Sequence, residues 1–163
     1  MLSVELRGDQ QVIRKLEARP KAVQAALITT ISALELILER HIKADLLSGQ
    51  VLNVRSGNLR ASVHSVFPLE VTDHSVYGHV AQSGDVKYGR IHEFGGKTPA
   101  HEIRATKAKA LHFMMGGKDV FAKSVHHPGS VMPERSYMRR GLADLRERII
   151  SDMDAAVRKG IRS

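Results

Sequence analysis

The stretch KAVQAALITTISALELILERHIKADLL, residues 21–47, decides the fold. Its apolar residues recur at three- and four-residue steps, a spacing that places them on one face of an α-helix. Such a helix is about 40 Å long at a rise of 1.5 Å per residue, which exceeds the usual length in globular proteins. One domain does not easily bury a helix of that length, so we expect part of it to pack on another subunit. Polar residues interrupt the run, which favours a buried helix over a membrane span.

The residues before this helix predict a short strand and a first, shorter helix. Ser3–Arg7 alternates apolar and polar residues, as a strand does. Gly8 then ends the strand, and Asp9 is a good N-cap for the helix that follows. We expect Pro20 to separate the two helices, near the first helical position of the long one. The N-terminal residues include charge and no apolar core of the kind found in a signal peptide, so we expect none.

The region after the long helix predicts a first hairpin. Ser48-Gly49-Gln50 carries the residues that end a helix. Ser56–Ser62 predicts a turn that leads into a single helical turn. Val63–Leu69 and Ser75–Ala81 then alternate as two strands around a turn at Val71–Ser75, which indicates a β-hairpin.

Glycine, proline, histidine and aromatic residues gather between residues 86 and 137, a density that marks specific backbone geometry. Val86–Phe94 predicts a short helix with Tyr88, Ile91 and Phe94 on one side, stopped by Gly95-Gly96. We expect Lys97–Glu102 to be irregular.

A second hairpin and a last helix complete the chain. Ala110–Met115 and Val120–Val125 are predicted strands around the turn signal Gly116–Asp119, and His127–Ser130 predicts another turn. A helical pattern begins at Arg135 and ends at Gly160. Its predicted apolar face consists of Met138, Leu142, Leu145, Ile149, Met153 and Val157. Together these elements predict an α+β fold in one domain, residues 1–163. A small, mostly antiparallel sheet of hairpins would pack against the long N-terminal helix and the C-terminal helix.

Composition narrows the range of partners. The chain has 163 residues, a net charge of +8 and a predicted pI near 10.0. Such a charge favours nucleic acid or an acidic protein surface, although the basic residues are scattered and form no dense arm. The absence of cysteine excludes disulfides and thiolate metal sites.

No motif assembles a catalytic, cofactor or metal site. The nine histidines do not match the HExxH zinc motif, because Gly96 and Ala105 occupy the positions that would need a second histidine. Neither the Gly-x-Ser-x-Gly elbow nor a phosphate-binding loop is present. Asp85, Glu93 and Glu102 are the carboxylates that a magnesium-dependent nuclease would use, but their spacing does not require it.

The order of motifs resembles the neck, or tail-completion, family of tailed bacteriophages, also described as head-tail joining, virion morphogenesis or minor tail proteins. Five motifs carry the resemblance, and they lie between a long N-terminal helix and a C-terminal helix. They are Ser56-Gly57-Asn58-Leu59-Arg60-Ala61-Ser62-Val63, Tyr88-Gly89-Arg90-Ile91-His92-Glu93-Phe94-Gly95, Ala108-Lys109-Ala110-Leu111-His112-Phe113, Val125-His126-His127-Pro128-Gly129 and Pro133-Glu134-Arg135-Ser136-Tyr137-Met138-Arg139. The family often has Gly-Thr where this chain has Gly95-Gly96, and Arg-Pro-Phe where it has Arg135-Ser136-Tyr137. The second difference resembles the branch found in Mu-like and contractile-tailed phages.

The resemblance implies a structural virion protein and neither catalysis nor a cofactor. Family members are expected to form a ring, six-fold in symmetry, that completes the tail or joins it to the head connector. Its implied partners are copies of itself and adjacent connector, tail-terminator or tail-tube proteins, with packaged DNA nearby and no membrane. Assembly would take place in the host cytoplasm. The alternative is a DNA-processing accessory such as a metal-dependent nuclease, which the charge and the His and Glu density favour.

A ring needs two different contact patches on each protomer. We expect the first patch at the loop Tyr88–Gly96 and the second on the first long helix. Tyr137 would anchor the last helix on the core or on a partner. The candidate interface residues are Tyr88, Ile91, His92, Glu93, Phe94, Gly95, Gly96, His127, Pro128, Gly129 and Tyr137.

Overall fold

The computed structural model describes residues 9–72 and 75–162, with side chains described from residue 20 onward, and it has the predicted α+β class. The predicted strand at Ser3–Arg7 lies outside the described residues. The helices are α1 (Asp9–Ala44), α2 (Asn58–Ser62), α3 (Gly89–Phe94), α4 (Tyr137–Asp144) and α5 (Arg146–Arg162), with a 3₁₀ turn at Leu46–Ser48. The strands are β1 (Val63–Ser65), β2 (Glu70–Val71), β3 (Val76–Tyr77), β4 (Val80–Gln82), β5 (Gly96–Thr98), β6 (His101–Arg104), β7 (Leu111–Met115), β8 (Lys118–Ala122), β9 (Ser124–His127) and β10 (Ser130–Met132).

The described strands pair antiparallel, as predicted, but they form five two-stranded sheets rather than one small sheet. The pairs are β1–β4, β2–β3, β5–β10, β6–β9 and β7–β8. The first predicted hairpin therefore consists of an outer strand pair, β1–β4, and an inner strand pair, β2–β3. The strand is interrupted between Ser65 and Glu70. The second hairpin is confirmed as β7–β8, turning through Gly116 and Gly117, whose φ angles are +57° and +78°.

Two local predictions are wrong for the same reason, which is pairing with distant residues. Lys97–Glu102 is not irregular: it contains part of β5 and of β6, which pair with β10 and β9 respectively. The predicted strand Val120–Val125 is divided between β8 and β9, because each half has a different partner strand. Such long-range pairing leaves no periodic signal in a short segment.

The long helix is longer than predicted. Helix α1 has 36 residues and Pro20 lies inside it, so proline does not separate two helices there. A proline removes one helix hydrogen bond, and the flanking turns continue the helix across the loss. The helix ends at Ala44, before the predicted Leu47, and the chain leaves helical geometry at Gly49, where φ is +132°.

By length and composition alone, the segment Pro20–Ser48 is long and apolar enough to cross a membrane. The core helix of a soluble protein passes the same test. In the described structure α1 contacts α2, α4, α5, β1, β3 and β4, and Ile31, Leu34 and Ile42 are buried. These contacts cover Ile31, Leu34 and Ile42, while only 17% of the apolar window within Pro20–Ser48 is buried.

The chain divides into two compact units. We call residues up to Val86 together with those from Tyr137 onward the helical unit, and Lys87–Ser136 the inserted unit. The helical unit contains the main core cluster, which consists of Ile42, Leu46, Leu47, Leu52, Val63 and Tyr137. The expectation of one domain over residues 1–163 stays a prediction.

Small residues bring α4 and α5 close to α1. A Cβ at Gly160 would lie 2.5 Å from the Cα of Val23, and one at Gly141 would lie 2.7 Å from Ile42 Cγ1. The prediction that Gly160 ends the last helix is therefore wrong. This glycine instead allows the backbones of α5 and α1 to approach each other. The predicted apolar face is half-buried except for Leu142, which is exposed.

Two carboxylates of α1 hold the first hairpin at its break. Glu35 accepts a hydrogen bond from the backbone N–H of His79. One turn later Glu39 accepts from the N–H and the hydroxyl of Ser65, at 2.7 and 2.8 Å, and from Lys43 Nζ at 2.6 Å. The hydrogen bond from Lys43, followed by those from Ser65, lowers the pKa of Glu39 to about 2 against the opposing effect of burial.

Candidate protein-interaction site

Helix α3 is tied to the segment that precedes α4. The carbonyl oxygens of His92 and Glu93 accept hydrogen bonds from the N–H groups of Arg135 and Ser136, at 2.8 and 3.2 Å. Gly95 ends α3 with φ at +69°, and a Cβ there would lie 2.9 Å from the backbone nitrogen of Glu134. Only glycine fits both the left-handed conformation and this close approach. The predicted stop at Gly95 is thus confirmed.

A groove of about 490 Å³ follows one side of α3. Its residues are Lys87, Arg90, Ile91, Phe94, Gly95, Gly96 and Lys97. Ile91 and Phe94 supply its apolar surface, and Phe94 is 59% exposed. Three cationic side chains surround them, and no carboxylate lines the groove. We call this feature the α3 groove.

The cations of the α3 groove have no ion-pair partner within residues 20–72 and 75–162. Lys87, Arg90 and Lys97 therefore present a local excess of positive charge beside exposed apolar surface. An occupant with the complementary chemistry would combine an apolar side chain with carboxylates.

Of the other predicted residues of this segment, Tyr88 is exposed, His92 is half-buried and Glu93 is buried. Tyr88 and His92 meet edge to face, with ring centroids 5.9 Å apart. Burial, and secondly the charge of Arg135, lowers the pKa of His92, so its ring is neutral at neutral pH. Glu93 is buried. Ile91 and Phe94 therefore line the groove, whereas His92 and Glu93 do not.

The predicted turn at His127–Gly129 belongs to the same unit and is structurally specific. His127 Nδ1 accepts the N–H of Gly129 at 3.0 Å, and its ring stacks on His101 at 5.0 Å. Gly129 has φ at +85°, and a Cβ there would overlap the carbonyl oxygen of Thr98. Pro128 is exposed. Strand β10 follows this turn and pairs with β5, which is the strand that follows Gly95.

Tyr137 has a different position from the other candidates. It lies in the helical unit, its side chain is 1% exposed, and its hydroxyl donates to Gln82 Oε1 at 3.0 Å. Of the two roles expected for Tyr137, the structure has the core anchor. The expectation that Tyr137 is an interface residue is therefore corrected, because a partner cannot contact a side chain that is already buried.

Sequence reasoning missed the four most exposed large apolar residues of the inserted unit. These are Met114, Met115, Phe121 and Val131. Phe121 stacks on His112 at 4.7 Å but remains 69% exposed. A signal was available for two of them: Met114-Met115 directly precedes the Gly116-Gly117 turn, where strand residues reach solvent.

The carboxylates of the nuclease hypothesis do not form a metal site in the described part of the chain. Among residues 20–72 and 75–162, no three His, Asp or Glu side chains are grouped as ligands of one ion. Glu102 instead binds Arg104 at 2.7 Å, and Glu93 is buried.

Comparison of the chain with models of protein families, with curated proteins and with solved structures gives no match.

Proposed function

We propose that this chain is a structural virion protein of a tailed bacteriophage or prophage. It would act at the head-tail junction as a ring of identical subunits, six-fold in symmetry, that completes the tail or joins it to the head connector. The proposal starts from the resemblance of the motifs and is supported by the surface of the inserted unit.

The observation that carries the proposal is the exposed apolar surface that one of those motifs builds, beside a second motif in the same unit. Tyr88–Gly95 forms α3 and the α3 groove, and Val125–Gly129 forms β9 and the turn before β10. Both segments depend on glycines whose Cβ atoms would overlap backbone. Backbone geometry this specific around a solvent-exposed phenylalanine is typical of a contact surface, because contiguous exposed apolar patches mark interaction sites.

The cationic rim of the groove favours a protein partner with carboxylates among apolar residues. A DNA-binding groove would use phosphate contacts and has no need of an apolar floor. The net charge of +8 is compatible with packaged DNA in the same ring, since long-range attraction to a polyanion does not require a dedicated site.

Replacement of Phe94 tests the groove as a ring contact. We expect Phe94→Asp to leave a folded monomer that no longer assembles, because a carboxylate replaces the apolar floor of the contact. Light scattering behind a sizing column, at low and moderate salt, measures the mass, and negative-stain electron microscopy shows whether a ring is present. Phe67→Asp, at a similarly exposed phenylalanine of the helical unit, is the matched control. An unchanged ring in the Phe94 variant would overturn this contact.

Nuclease activity is the competing outcome. The purified chain with magnesium or manganese should not cleave DNA. Turnover that Glu93→Gln abolishes without changing the solution mass would overturn the structural role in favour of a DNA-processing enzyme.

A further inference from the structure

The partner of the α3 groove can be sought within the chain itself, because a ring contact joins two different patches of identical subunits. The required patch has an exposed apolar side chain between carboxylates, which would neutralise Lys87, Arg90 and Lys97. Three helices of the helical unit expose large apolar side chains: Leu36 on α1, Leu142 on α4 and Ile150 on α5. Leu142 has exposed arginines three and four residues away, Arg139 and Arg146, which is the wrong charge for this contact.

The exposed side of α1 has the wrong charge for this contact. Leu36 is 55% exposed, but it lies in a groove with three cations, Arg40, Lys43 and Arg60. The one carboxylate there, Glu39, is already bonded to Lys43 and Ser65. Two cation-rimmed grooves repel each other, so the expectation that α1 supplies the second patch is not supported by its charge.

Helix α5 places carboxylates on both sides of an exposed apolar residue, with the exposed Arg146 and Arg158 flanking them. Glu147, Ile150 and Asp154 are spaced three and four residues apart, which places them on one face of the helix, and all three are exposed. Ile150 is 58% exposed. The two acidic positions are about 10 Å apart along the helix axis, at 1.5 Å per residue. We call these three residues the α5 stripe.

An ion pair between Asp154 and Arg158 on this stripe does not prevent such a contact. Asp154 binds Arg158 at 2.9 Å, and both side chains are more than half exposed. An exposed pair of this kind contributes little to stability, so Asp154 can exchange it for a lysine of another subunit at small cost.

We propose that the α3 groove of one copy receives the α5 stripe of the next copy. Ile150 would pack on Ile91 and Phe94, while Glu147 and Asp154 would face the cationic rim. Each subunit carries one groove and one stripe, so the contact is heterologous and can close a ring. The inference rests on the proposed ring and names the residues that would form it.

Site-specific crosslinking tests the contact directly, because the chain has no cysteine and only introduced thiols react. The double variant Lys97→Cys with Glu147→Cys, treated with a short bismaleimide, should give a ladder of covalent multimers on a denaturing gel. Each single-cysteine variant should give much less product. A product of monomer mass alone, or no multimer, would overturn the contact.

A second cysteine pair tests the α1 alternative under the same conditions. Lys97→Cys with Arg40→Cys places a thiol on the cationic side of α1. It should crosslink poorly. If it forms the ladder while the Glu147 pair does not, α1 supplies the patch and the α5 proposal is wrong.

Charge reversal then tests the proposed chemistry. Glu147→Lys with Asp154→Lys should weaken self-association about tenfold or more, because like charges would meet across the contact. Adding Lys87→Glu and Lys97→Glu to the same chain should restore it. If the variant with Glu147→Lys and Asp154→Lys alone assembles like wild type, this contact is wrong and the ring proposal stands. Metal-dependent DNA cleavage by a chain that gives no multimer would count against the ring proposal itself.

Discussion

The two compact units differ in where their large apolar side chains lie. Every buried hydrophobic residue among those described belongs to the helical unit, including Ile42, Leu46 and Tyr137. Both units expose large apolar residues, such as Phe67 in the helical unit and Phe94 and Phe121 in the inserted unit, but among the described residues of the inserted unit no hydrophobic residue is fully buried. It is held by three antiparallel strand pairs and by glycine turns rather than by a packed core.

The difference indicates that the two units contribute differently to stability and to assembly. A buried apolar cluster is the main source of stability in a domain of this size, so the helical unit stabilises the fold. Two-stranded sheets without a core are marginally stable on their own. Assembly would cover apolar side chains that the inserted unit leaves in water, which is why we propose one half of the ring contact, the α3 groove, there.

The largest effect should follow the removal of Tyr137. We expect Tyr137→Ala to lower the free energy of unfolding by about 4 kcal/mol, because it empties a fully enclosed position in the core. Tyr137→Phe removes only the hydrogen bond to Gln82 and should cost about 1 kcal/mol. Denaturant unfolding followed by circular dichroism measures both.

An exposed phenylalanine of the inserted unit is the matched control for that comparison. Phe121→Ala should change the free energy of unfolding by less than about 0.5 kcal/mol, as exposed substitutions usually do. If Phe121→Ala were as destabilising as Tyr137→Ala, the inserted unit would have a core of its own and the contrast would fail.

A smaller effect, confined to the inserted unit, should follow Gly129→Ala. The new Cβ would overlap the carbonyl of Thr98 and occupy a left-handed conformation, so we expect a cost of about 2 kcal/mol or more. Hydrogen exchange should show lost protection in β5 and β10 while α1 keeps its own. Gly116→Ala has a similar φ angle but no atom within 4 Å, and it should cost about 1 kcal/mol. Equal effects of the two changes would mean that the close approach at Gly129 is unimportant.

The smallest effect concerns pH and the helical unit. The pKa of Glu39 is lowered from 4.5 to about 2 in the folded protein, first by the hydrogen bond from Lys43. Its ionised form therefore stabilises the fold above the unfolded pKa, and that contribution is lost as pH falls from 4.5 towards 2. Denaturant midpoints measured across this window should decrease, and Glu39→Gln should flatten the dependence. A decrease of the same size in Glu39→Gln would assign the effect to other carboxylates.

The sequence predicted the local elements better than their arrangement. The long helix, both hairpins, the helix stop at Gly95 and the antiparallel pairing follow from periodicity and turn residues, which act within a few residues. The pairing of β5 with β10 and of β6 with β9 could not be predicted in this way, because each joins segments 20 or more residues apart and the segments are not periodic. Pro20 predicts a helix boundary from its local chemistry alone, but α1 continues through it.

The sequence by itself determined the α+β class, the positive charge and the aromatic and glycine-rich region around Phe94. These depend on composition and on spacing along the chain. Only the tertiary structure decided that Tyr137 is core and Phe94 is surface, since burial depends on which distant residues come close. It likewise decided which charges surround the exposed apolar side chains of α1 and α5. Arg60 of α2 adds a cation beside Leu36 of α1, whereas Ile150 of α5 lies between Glu147 and Asp154.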